Sequence, residues 1–356
     1  MNDLIVIDGS HGEGGGQMLR TSLSLAAVLG KPVRIIAIRA GRPKPGLAPQ
    51  HLTACRAVAA VCRGELQGDE LRSQTIELRP DTVQGGSFTF DVADITPSAG
   101  SAGLILQAIL PPLLFARQAS HVVLRGGTDV PWSPVFSYLQ DVFVPMLTRM
   151  GASVDLERNR AGWYPAGGGE IEAWIEPLAE PLRPLVLLEP GAARHMSCQS
   201  VVSERLPRHI GERQCQGAAE QVKGLGPVKT HEEQLRSGGP GTTCVAMVTF
   251  DQGAGGFTAL GERGKPAEEV GADAGRQLRE FLATGAPVDE RLADQLQLYC
   301  ALAAGQSSYV TPRLTGHLQT NAEVIAQLTG VRCAFSEVGR NIRVDILGLG
   351  LQPAAR

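Results

Sequence analysis

Three glycines that end helical patterns point to a repeated unit in this chain of 356 residues. Gly64, Gly151 and Gly330 each follow a helical pattern and precede two short strand patterns, and glycine is the residue that most often ends a helix in a left-handed conformation. Gly64 and Gly151 are 87 residues apart, whereas Gly151 and Gly330 are 179 apart. The spacing predicts units of about 90 residues, with one unit's length of extra chain before the last. Chance similarity between helix–glycine–strand joints is the alternative.

The alternation of helix and strand patterns predicts an α+β fold, specifically an α/β sandwich. Strand patterns cover residues 4–7, 33–38, 66–78, 121–124, 153–156, 171–175, 331–335 and 342–346, and helical patterns cover 17–29, 49–62, 134–150, 290–304 and 320–328, with a further helix from Ser98. Proline-rich segments near residues 176–184 and 286–287 suggest the ends of the extra segment. We therefore expect a large domain from residues 1–183 and 285–356, interrupted by a small domain at residues 184–284.

Composition excludes several classes of protein. Glycine and proline make 66 residues without a fixed period, which excludes collagen, and the 43% hydrophobic content argues against disorder. The seven cysteines form no CxxC pair, which favours free thiols in a cytoplasmic protein. Residues 1–9 lack a signal-peptide pattern, and the apolar run 104–116 is too short to span a bilayer. No membrane association is expected.

The net charge of −3 conceals a strongly cationic segment. Residues 14–64 contain no Asp or Glu but eight Lys or Arg, so the remaining 305 residues carry a charge of −11. A cationic segment in an otherwise acidic chain predicts a local anion site rather than a general basic surface.

The glycine-rich loop at residues 8–17 follows a strand pattern and opens a helix, an arrangement whose backbone N–H groups can cradle phosphate. It is neither a Walker A loop nor a complete dinucleotide fingerprint, and a structural tight turn is the alternative. Glu13 within it would repel phosphate unless a divalent cation bridged them. Arg39 and Arg42 in the next strand-to-helix joint suit bidentate binding of phosphate oxygens, although such residues are usually solvated surface charges.

Local pattern alone leaves the other candidates undecided. Gln107 is the strongly polar residue of an apolar helical pattern, so it is either a satisfied core amide or a ligand contact. The glycine-containing joints at 125–134, 164–169 and 238–241 are either ordinary turns or parts of one crevice. His317 is one of seven histidines, and a lone histidine is more often structural than catalytic.

Together these segments resemble the RNA 3′-terminal phosphate cyclase family. The resemblance rests on motifs that occur in the family's order: DGSHGEGGGQMLR at 8–20, IRAGRPKPGL at 38–47, QHLT at 50–53, SAGS at 98–101, GGT at 126–128, YPAGGG at 164–169, LADQ at 292–295 and HLQTN at 317–321. It covers nearly the whole chain. It implies a large domain of three βαβαββ-type repeats, each resembling the C-terminal domain of translation initiation factor three, with a smaller α/β domain inserted before the last.

The resemblance also implies an activity. Enzymes of the family use ATP to convert an RNA 3′-phosphate into a 2′,3′-cyclic phosphodiester. A histidine attacks the α-phosphorus of ATP, which forms enzyme–AMP and releases pyrophosphate; AMP then passes to the RNA 3′-phosphate, and the neighbouring 2′-OH displaces it. His317 occupies the position of that histidine. The expected partners are RNA 3′-phosphate ends, ATP and a divalent cation, Mg²⁺ or Mn²⁺.

Further roles follow from matching motif positions. The positions around the adenylate are matched by Gln107, Pro134, Asp294 and Gln295, and the polar positions that bind phosphates are matched by Arg20, Arg39, Arg42 and Gln50. Glu13 would hold the divalent cation on the triphosphate. Arg291 stands where members often have an aromatic residue, and arginine can also stack on adenine.

Two other classes of protein remain as alternatives. A non-catalytic RNA-binding relative that acts in ribosome assembly shares this fold but lacks the histidine, so His317 argues against it. Enolpyruvyl transferases are built from similar repeats, but their longer motifs are not found here. The sequence leaves open the physiological RNA, the metal and whether the chain forms a homodimer.

Overall fold

Four-stranded sheets and the helices that cover them make the protein an α+β structure. The computed structural model describes residues 3–12 and 15–354, and these residues form four such sheets. Three of the sheets share one order, in which the first, second, fourth and third strands of a unit lie side by side. In each, the first two strands are parallel and the other pairs are antiparallel. The predicted three βαβαββ units are therefore confirmed.

The first two units follow each other directly along the chain. The first consists of β1 (Ile5–Asp8), α1 (Gly16–Leu29), β2 (Val33–Ile36), α2 (Pro49–Val61), β3 (Glu65–Gln67) and β4 (Ile76–Arg79). The second consists of β5 (Ser87–Asp91), α3 (Ala102–Leu114), β6 (Ser120–Gly126), α4 (Phe136–Tyr138), α5 (Val144–Arg149), β7 (Ser153–Arg160) and β8 (Gly169–Glu176). A π-helical turn at Leu139–Phe143 joins α4 to α5, so the single helix expected at 134–150 is one helix with an irregular middle.

The third unit is divided by a long insertion. Its first strand is β9 (Val186–Leu187), after which come β10 (Ala193–Ser203), α6 (His209–Gln221), β11 (Val228–Leu235), β12 (Thr242–Phe250), β13 (Gly253–Leu260) and α7 (Ala267–Thr284). The unit then resumes with α8 (Glu290–Leu302), β14 (Gln306–Thr311), α9 (Gly316–Thr329), β15 (Cys333–Val338) and β16 (Asn341–Leu347). The inserted strands form the fourth sheet, in the order β11-β10-β12-β13.

Strand pairing refines the expected boundaries. β9 pairs with β14, although the sequence patterns had assigned its residues to the small domain at 184–284. Pairing therefore associates Val186 and Leu187 with the third unit, and the insertion lies between β9 and α8. We keep the division into a large and a small domain as a proposal, with the small domain between these two elements.

The glycines that follow the last helix of each unit differ in their backbone conformation. Gly151 and Gly330 have φ values of +101° and +79°, as predicted for glycines that end helices. After α2 the positive φ of +49° belongs to Arg63 instead, so the prediction of a left-handed Gly64 was wrong. A Cβ atom on Gly64 would lie 2.9 Å from the carbonyl oxygen of Arg79. Close packing against β4, rather than backbone conformation, therefore requires glycine there.

The apolar run at 104–116 forms the buried helix that was expected. α3 spans Ala102–Leu114 and begins after Ser101, whose hydroxyl accepts a hydrogen bond from the backbone N–H of Leu104, so the helix starts later than the predicted Ser98. All of its residues except Gln107 are buried. Within the described ranges, no helix combines the length and the apolarity needed to cross a bilayer.

Asp289 joins the insertion to the body of the protein through a buried carboxylate. Its side chain is 1% exposed and accepts hydrogen bonds from the backbone N–H groups of Arg291 and Leu292 at 2.8 and 3.0 Å, which caps α8. It also accepts from the backbone N–H of Gly256 in β13 and from the hydroxyl of Tyr138 in α4. One side chain thus satisfies donors from three elements, and its burial raises the pKa of the carboxyl group.

We expect Asp289→Ala to lower the free energy of unfolding by about 3 kcal/mol, because it leaves several buried donors without an acceptor. Asp289→Asn keeps an acceptor at this position and should lose much less. Urea denaturation of both variants provides the measurement. Equal losses in the two variants would show that the shared acceptor does not hold these elements together.

Candidate functional site

The three units surround one cavity of about 870 Å³. Its walls come from α1, α2, α3, α8 and α9, from the segment before α4, and from β13 of the insertion. The predicted site residues that line it are Arg20, Arg39, Arg42, Gln50, Gln107, Pro134, Arg291, Asp294, Gln295 and His317. Glu13 lies outside the described residues. The structure therefore brings together every other predicted site residue, while their roles remain predictions.

The described lining of this cavity is cationic. It contains four arginines, and Asp294 is its single carboxylate. Of the eight basic residues in the acid-free segment, Arg34 and Arg56 form ion pairs with Glu77 and Asp69 elsewhere. The arginines that face the cavity therefore concentrate positive charge on one cavity, which suits a ligand with several negative charges.

Helix α8 presents one face to the cavity. Arg291, Asp294, Gln295 and Leu298 line it, and their spacing of three and four residues places them on one side of an α-helix. The residues between them, including Leu292 and Leu296, are buried in the core. The Asp289 cap sets where this helix begins, and so determines which residues face the cavity.

His317 lies in the first turn of α9. Thr315 precedes the helix, and its hydroxyl accepts from the backbone N–H of Leu318 at 3.1 Å. The sequence pattern placed His317 ahead of a helix opening at Thr320, which was wrong because Thr315 caps the helix one turn earlier. The His317 side chain is exposed and lines the cavity, so a ligand can reach it.

A buried amide holds α9 against two other helices. Asn321, 2% exposed, accepts from the hydroxyl of Thr21 in α1 at 2.7 Å. Its NH₂ group donates to the backbone carbonyl of Asp294 in α8 at 3.1 Å. Because both ends of the amide are used, α9 has a defined rotation relative to α1 and α8, one turn away from His317.

Arg20 in α1 and the nearby Arg39 are partly desolvated. Burial lowers the pKa of Arg20 to about 10, and Asp294 opposes this shift. Burial, followed by the nearby Arg42, also lowers the pKa of Arg39, whose guanidinium donates to the carbonyl of Gly46 at 2.9 Å. Both groups remain charged at neutral pH, so the cavity holds cations that lack their full hydration. An anionic ligand would restore the lost stabilisation.

His51 is a neutral histidine among these cations. It is 7% exposed and lines the cavity, and burial, then Arg20 and Arg39, lowers its pKa to about 3. Its Nδ1 accepts from the backbone N–H of Ala48 at 3.3 Å, which places the proton of the neutral ring on Nε2. A Cβ atom on Gly16 would lie 2.4 Å from that Nε2, so the start of α1 needs glycine to accommodate the imidazole.

Two predicted glutamines enter the cavity from different helices. The side-chain oxygen of Gln50 in α2 accepts from the backbone N–H of Ser101 at 2.9 Å, so the NH₂ end of this amide is the one suited to a ligand. Gln107 is the partly exposed residue of the buried helix α3. Its place in the cavity lining favours a ligand contact over the alternative of a core amide.

The described residues do not hold a metal-binding cluster. Within 3–12 and 15–354, no group of three or more His, Cys, Asp or Glu side chains is placed to hold a metal ion. The cation expected at Glu13 therefore depends on a residue outside this range.

Several cavity residues were not singled out from the sequence. Thr21, His51, Trp132 and Asn321 line the cavity, although His51 and Asn321 lie within the quoted motifs. Their roles depend on contacts between residues far apart in sequence, such as Thr21 with Asn321. Both helices carry several other polar residues, so the sequence gives no signal that singles out Thr21 or Asn321.

Fold and cavity together define an α+β protein whose arginine-lined cavity contains an accessible histidine. A model of the family described as RNA 3′-terminal phosphate cyclase matches residues 11–335. Proteins named RNA 3′-terminal phosphate cyclase from Gloeothece citriformis, Pyrobaculum neutrophilum and Methylococcus capsulatus are 44%, 41% and 43% identical to the chain. The alignments cover 91%, 97% and 95% of this chain and 93%, 98% and 95% of those proteins. The chain belongs to the RNA 3′-terminal phosphate cyclase family.

The depressed pKa of His51 predicts a specific loss of stability in acid. Between the ordinary histidine value of 6.5 and about 3, the unfolded chain binds a proton that the folded chain excludes. As the pH is lowered through this window, the free energy of unfolding should therefore decrease, by up to about 1.4 kcal/mol per pH unit from this residue.

His51→Gln should remove that contribution. Urea denaturation near pH 7 and near pH 5 would measure it, with the exposed His209 changed to Gln as a control. Equal pH dependence in wild type and His51→Gln would refute the assignment.

Proposed function

We propose that this protein is an ATP-dependent enzyme that converts the 3′-phosphate end of an RNA into a 2′,3′-cyclic phosphodiester. The observation that carries the proposal is the accessible His317, which shares one cavity with four arginines. The alternative of a non-catalytic RNA-binding protein has no use for an exposed histidine at this place. The names of the relatives, all RNA 3′-terminal phosphate cyclases, support the same substrate.

The proposed reaction has three displacements at phosphorus. A ring nitrogen of His317 attacks the α-phosphorus of ATP; a P–N bond forms, the bond to the β-phosphate oxygen breaks, and pyrophosphate leaves. An oxygen of the RNA 3′-phosphate next attacks the same phosphorus, the P–N bond breaks, and RNA(3′)pp(5′)A forms. The vicinal 2′-OH then attacks the 3′-phosphorus, loses its proton and releases AMP. Covalent catalysis of this kind replaces one displacement of a poor leaving group by easier ones.

The arginines would stabilise charge throughout these steps. Phosphoryl transfer needs positioning and neutralisation of oxygen charge more than covalent assistance from the protein, and partly desolvated guanidinium groups supply both. In this proposal Arg20, Arg39 and Arg42 bind phosphate oxygens of ATP or of the RNA end. His51 remains uncharged, with a donor on Nε2. The divalent cation predicted at Glu13 would add neutralising charge on the triphosphate when bound.

The adenine would bind along the exposed face of α8. Gln295 lines the cavity, and its side-chain oxygen is buried without a hydrogen-bond partner among the described residues. A buried acceptor without a donor is unfavourable, and the amino group of adenine is a suitable donor. Asp294, Gln107 and Pro134 line the same cavity, and Arg291 is exposed at the start of the face, where it can stack on the base.

The first test is covalent labelling by ATP. Incubation with α-labelled ATP and Mg²⁺ or Mn²⁺, without RNA, should give an acid-labile and alkali-stable protein-bound label, as expected of a phosphoramidate. His317→Ala should reduce the label to background. His209→Ala should leave it unchanged, because that exposed histidine lies on α6, away from the cavity. Full labelling of His317→Ala would refute the proposed nucleophile.

The second test concerns the adenine contact of Arg291. A stacked guanidinium contributes roughly 1 kcal/mol, so Arg291→Ala should raise the KM for ATP in the labelling reaction about fivefold. The maximal labelling rate should change less, because the reacting phosphorus is not touched. Arg291→Tyr restores a stacking surface and should recover most of the affinity. If Arg291→Tyr were as defective as Arg291→Ala, stacking would not be the role of this residue.

A further inference from the structure

Trp132 is a large aromatic side chain that stands fully open at the edge of the cavity. It lines the cavity, yet its exposure is 100%. The hydroxyl of Ser133 donates to the carbonyl of Val130 at 3.0 Å, which closes a tight turn around it. Pro131 precedes the ring, and Pro134 follows the turn. The indole is therefore displayed by a stiff segment and contributes nothing to the core.

The backbone of Trp132 also has an unfavourable conformation. Its φ is +65°, a region that bulky residues rarely adopt and that glycine adopts without penalty. Strain of this kind is found where a side chain is needed in a particular place. The chain is poor in aromatics, at 4%, and most of these side chains are buried. An exposed, strained tryptophan at the cavity edge is thus not a consequence of composition.

The other exposed aromatic side chains have different surroundings. Among the described residues these are Tyr164 and Trp174, with exposures of 71% and 39%. Trp174 stacks on His121 at 5.2 Å and does not line the cavity. Tyr164 lines a second cavity of about 570 Å³. Three residues line both cavities: Pro131, Thr258 and Leu260. Trp132 therefore directly follows Pro131, which lies where the two cavities meet.

We propose that Trp132 is a stacking platform for a base of the RNA substrate, at the 3′-terminal nucleotide or the one before it. The inference rests on the proposed function and adds a contact to the base, which the arginines cannot provide. A polymer whose terminal phosphate reaches His317 has to leave through the open edge of the cavity, and the fully exposed ring stands there. ATP, in contrast, can lie within the cavity, where its adenine is proposed to bind along the exposed face of α8. Aromatic stacking combined with cations such as Arg42 is a common way to hold single strands without reading their sequence.

The test separates RNA binding from reaction with ATP. Loss of one base–aromatic stack weakens single-strand binding about 5- to 150-fold, so Trp132→Ala should raise the KM for a 3′-phosphorylated oligonucleotide by a factor in that range. The KM for ATP in the labelling reaction, measured without RNA, is the comparison and should stay the same in Trp132→Ala. Trp132→Phe keeps an aromatic ring and should retain most of the RNA affinity. Trp174→Phe is the matched control and should change neither constant.

Substrates that lack one base identify the contact. An RNA with an intact 3′-terminal ribose and phosphate but an abasic site at the last or second-last position should bind the wild type as weakly as the full RNA binds Trp132→Ala. At the contacted position, Trp132→Ala should not distinguish the abasic RNA from the full one. If both enzymes lose the same factor at both positions, the base is held elsewhere and the proposal is wrong.

Two further outcomes are informative. A rise in the KM for ATP with an unchanged KM for RNA would assign the ring to adenosine and overturn the proposal. Absence of any covalent label on the wild type would refute the proposed function itself, independently of Trp132. Circular dichroism and thermal unfolding of the Trp132 variants should match the wild type, because the side chain makes no core contacts.

Discussion

The amide of Asn321 connects the two ends of the chain at the place where the chemistry is proposed. Its partners are Thr21 in the first unit and the backbone of Asp294 in the third, so the contact spans about 300 residues of sequence. Because the amide is buried, each of its polar atoms needs a partner, and a rotated or shifted α9 would leave one unsatisfied. The geometry of His317, one turn earlier on the same helix, therefore depends on correct docking of three helices. The cavity exists only when the first and third units pack as they do here.

The same packing explains why the cavity is electrostatically prepared for anions. Arg20 and Arg39 lose hydration when the units close over them, as their lowered pKa values indicate. Folding therefore has to overcome a desolvation penalty that an anionic ligand can relieve. The formal charge of −3 for the whole chain is compatible with this arrangement, because Asp294 is the single carboxylate of the described cavity lining. Positive charge concentrated in this way suits one anionic ligand rather than polyanions along the whole surface.

Apolar patterns and helix-ending glycines predicted the repeated unit, whereas the site residues came from the family resemblance, and their roles remain predictions. Most helices and strands of the units were located within a few residues, but no strand was predicted for β5, β9 or β14. The strand β9 has two residues, too few for any pattern, so the insertion was placed before the third unit instead of within it. The left-handed conformation expected of Gly64 belongs to Arg63. Gly64 is required for a different reason, its close packing on β4, which only the folded chain shows. The lowered pKa of His51 comes from burial and then from Arg20 and Arg39, and only the folded chain provides these surroundings.

The place of the insertion has a structural consequence for the site. The chain leaves the third unit after β9 and returns at α8, the helix that carries Arg291, Asp294 and Gln295. Two contacts tie β13 to the start of that helix. One is a β-bridge between Ala254 and Val288, and the other is the hydrogen bond from the backbone N–H of Gly256 to Asp289. Thr258 and Leu260 on the same strand line the cavity. The insertion is therefore part of the cavity wall, and Asp289 connects it to the start of α8. Each unit supplies a different part of the cavity: Arg20, Arg39 and Arg42 come from the first, the Trp132 segment from the second, and the helices α8 and α9 from the third.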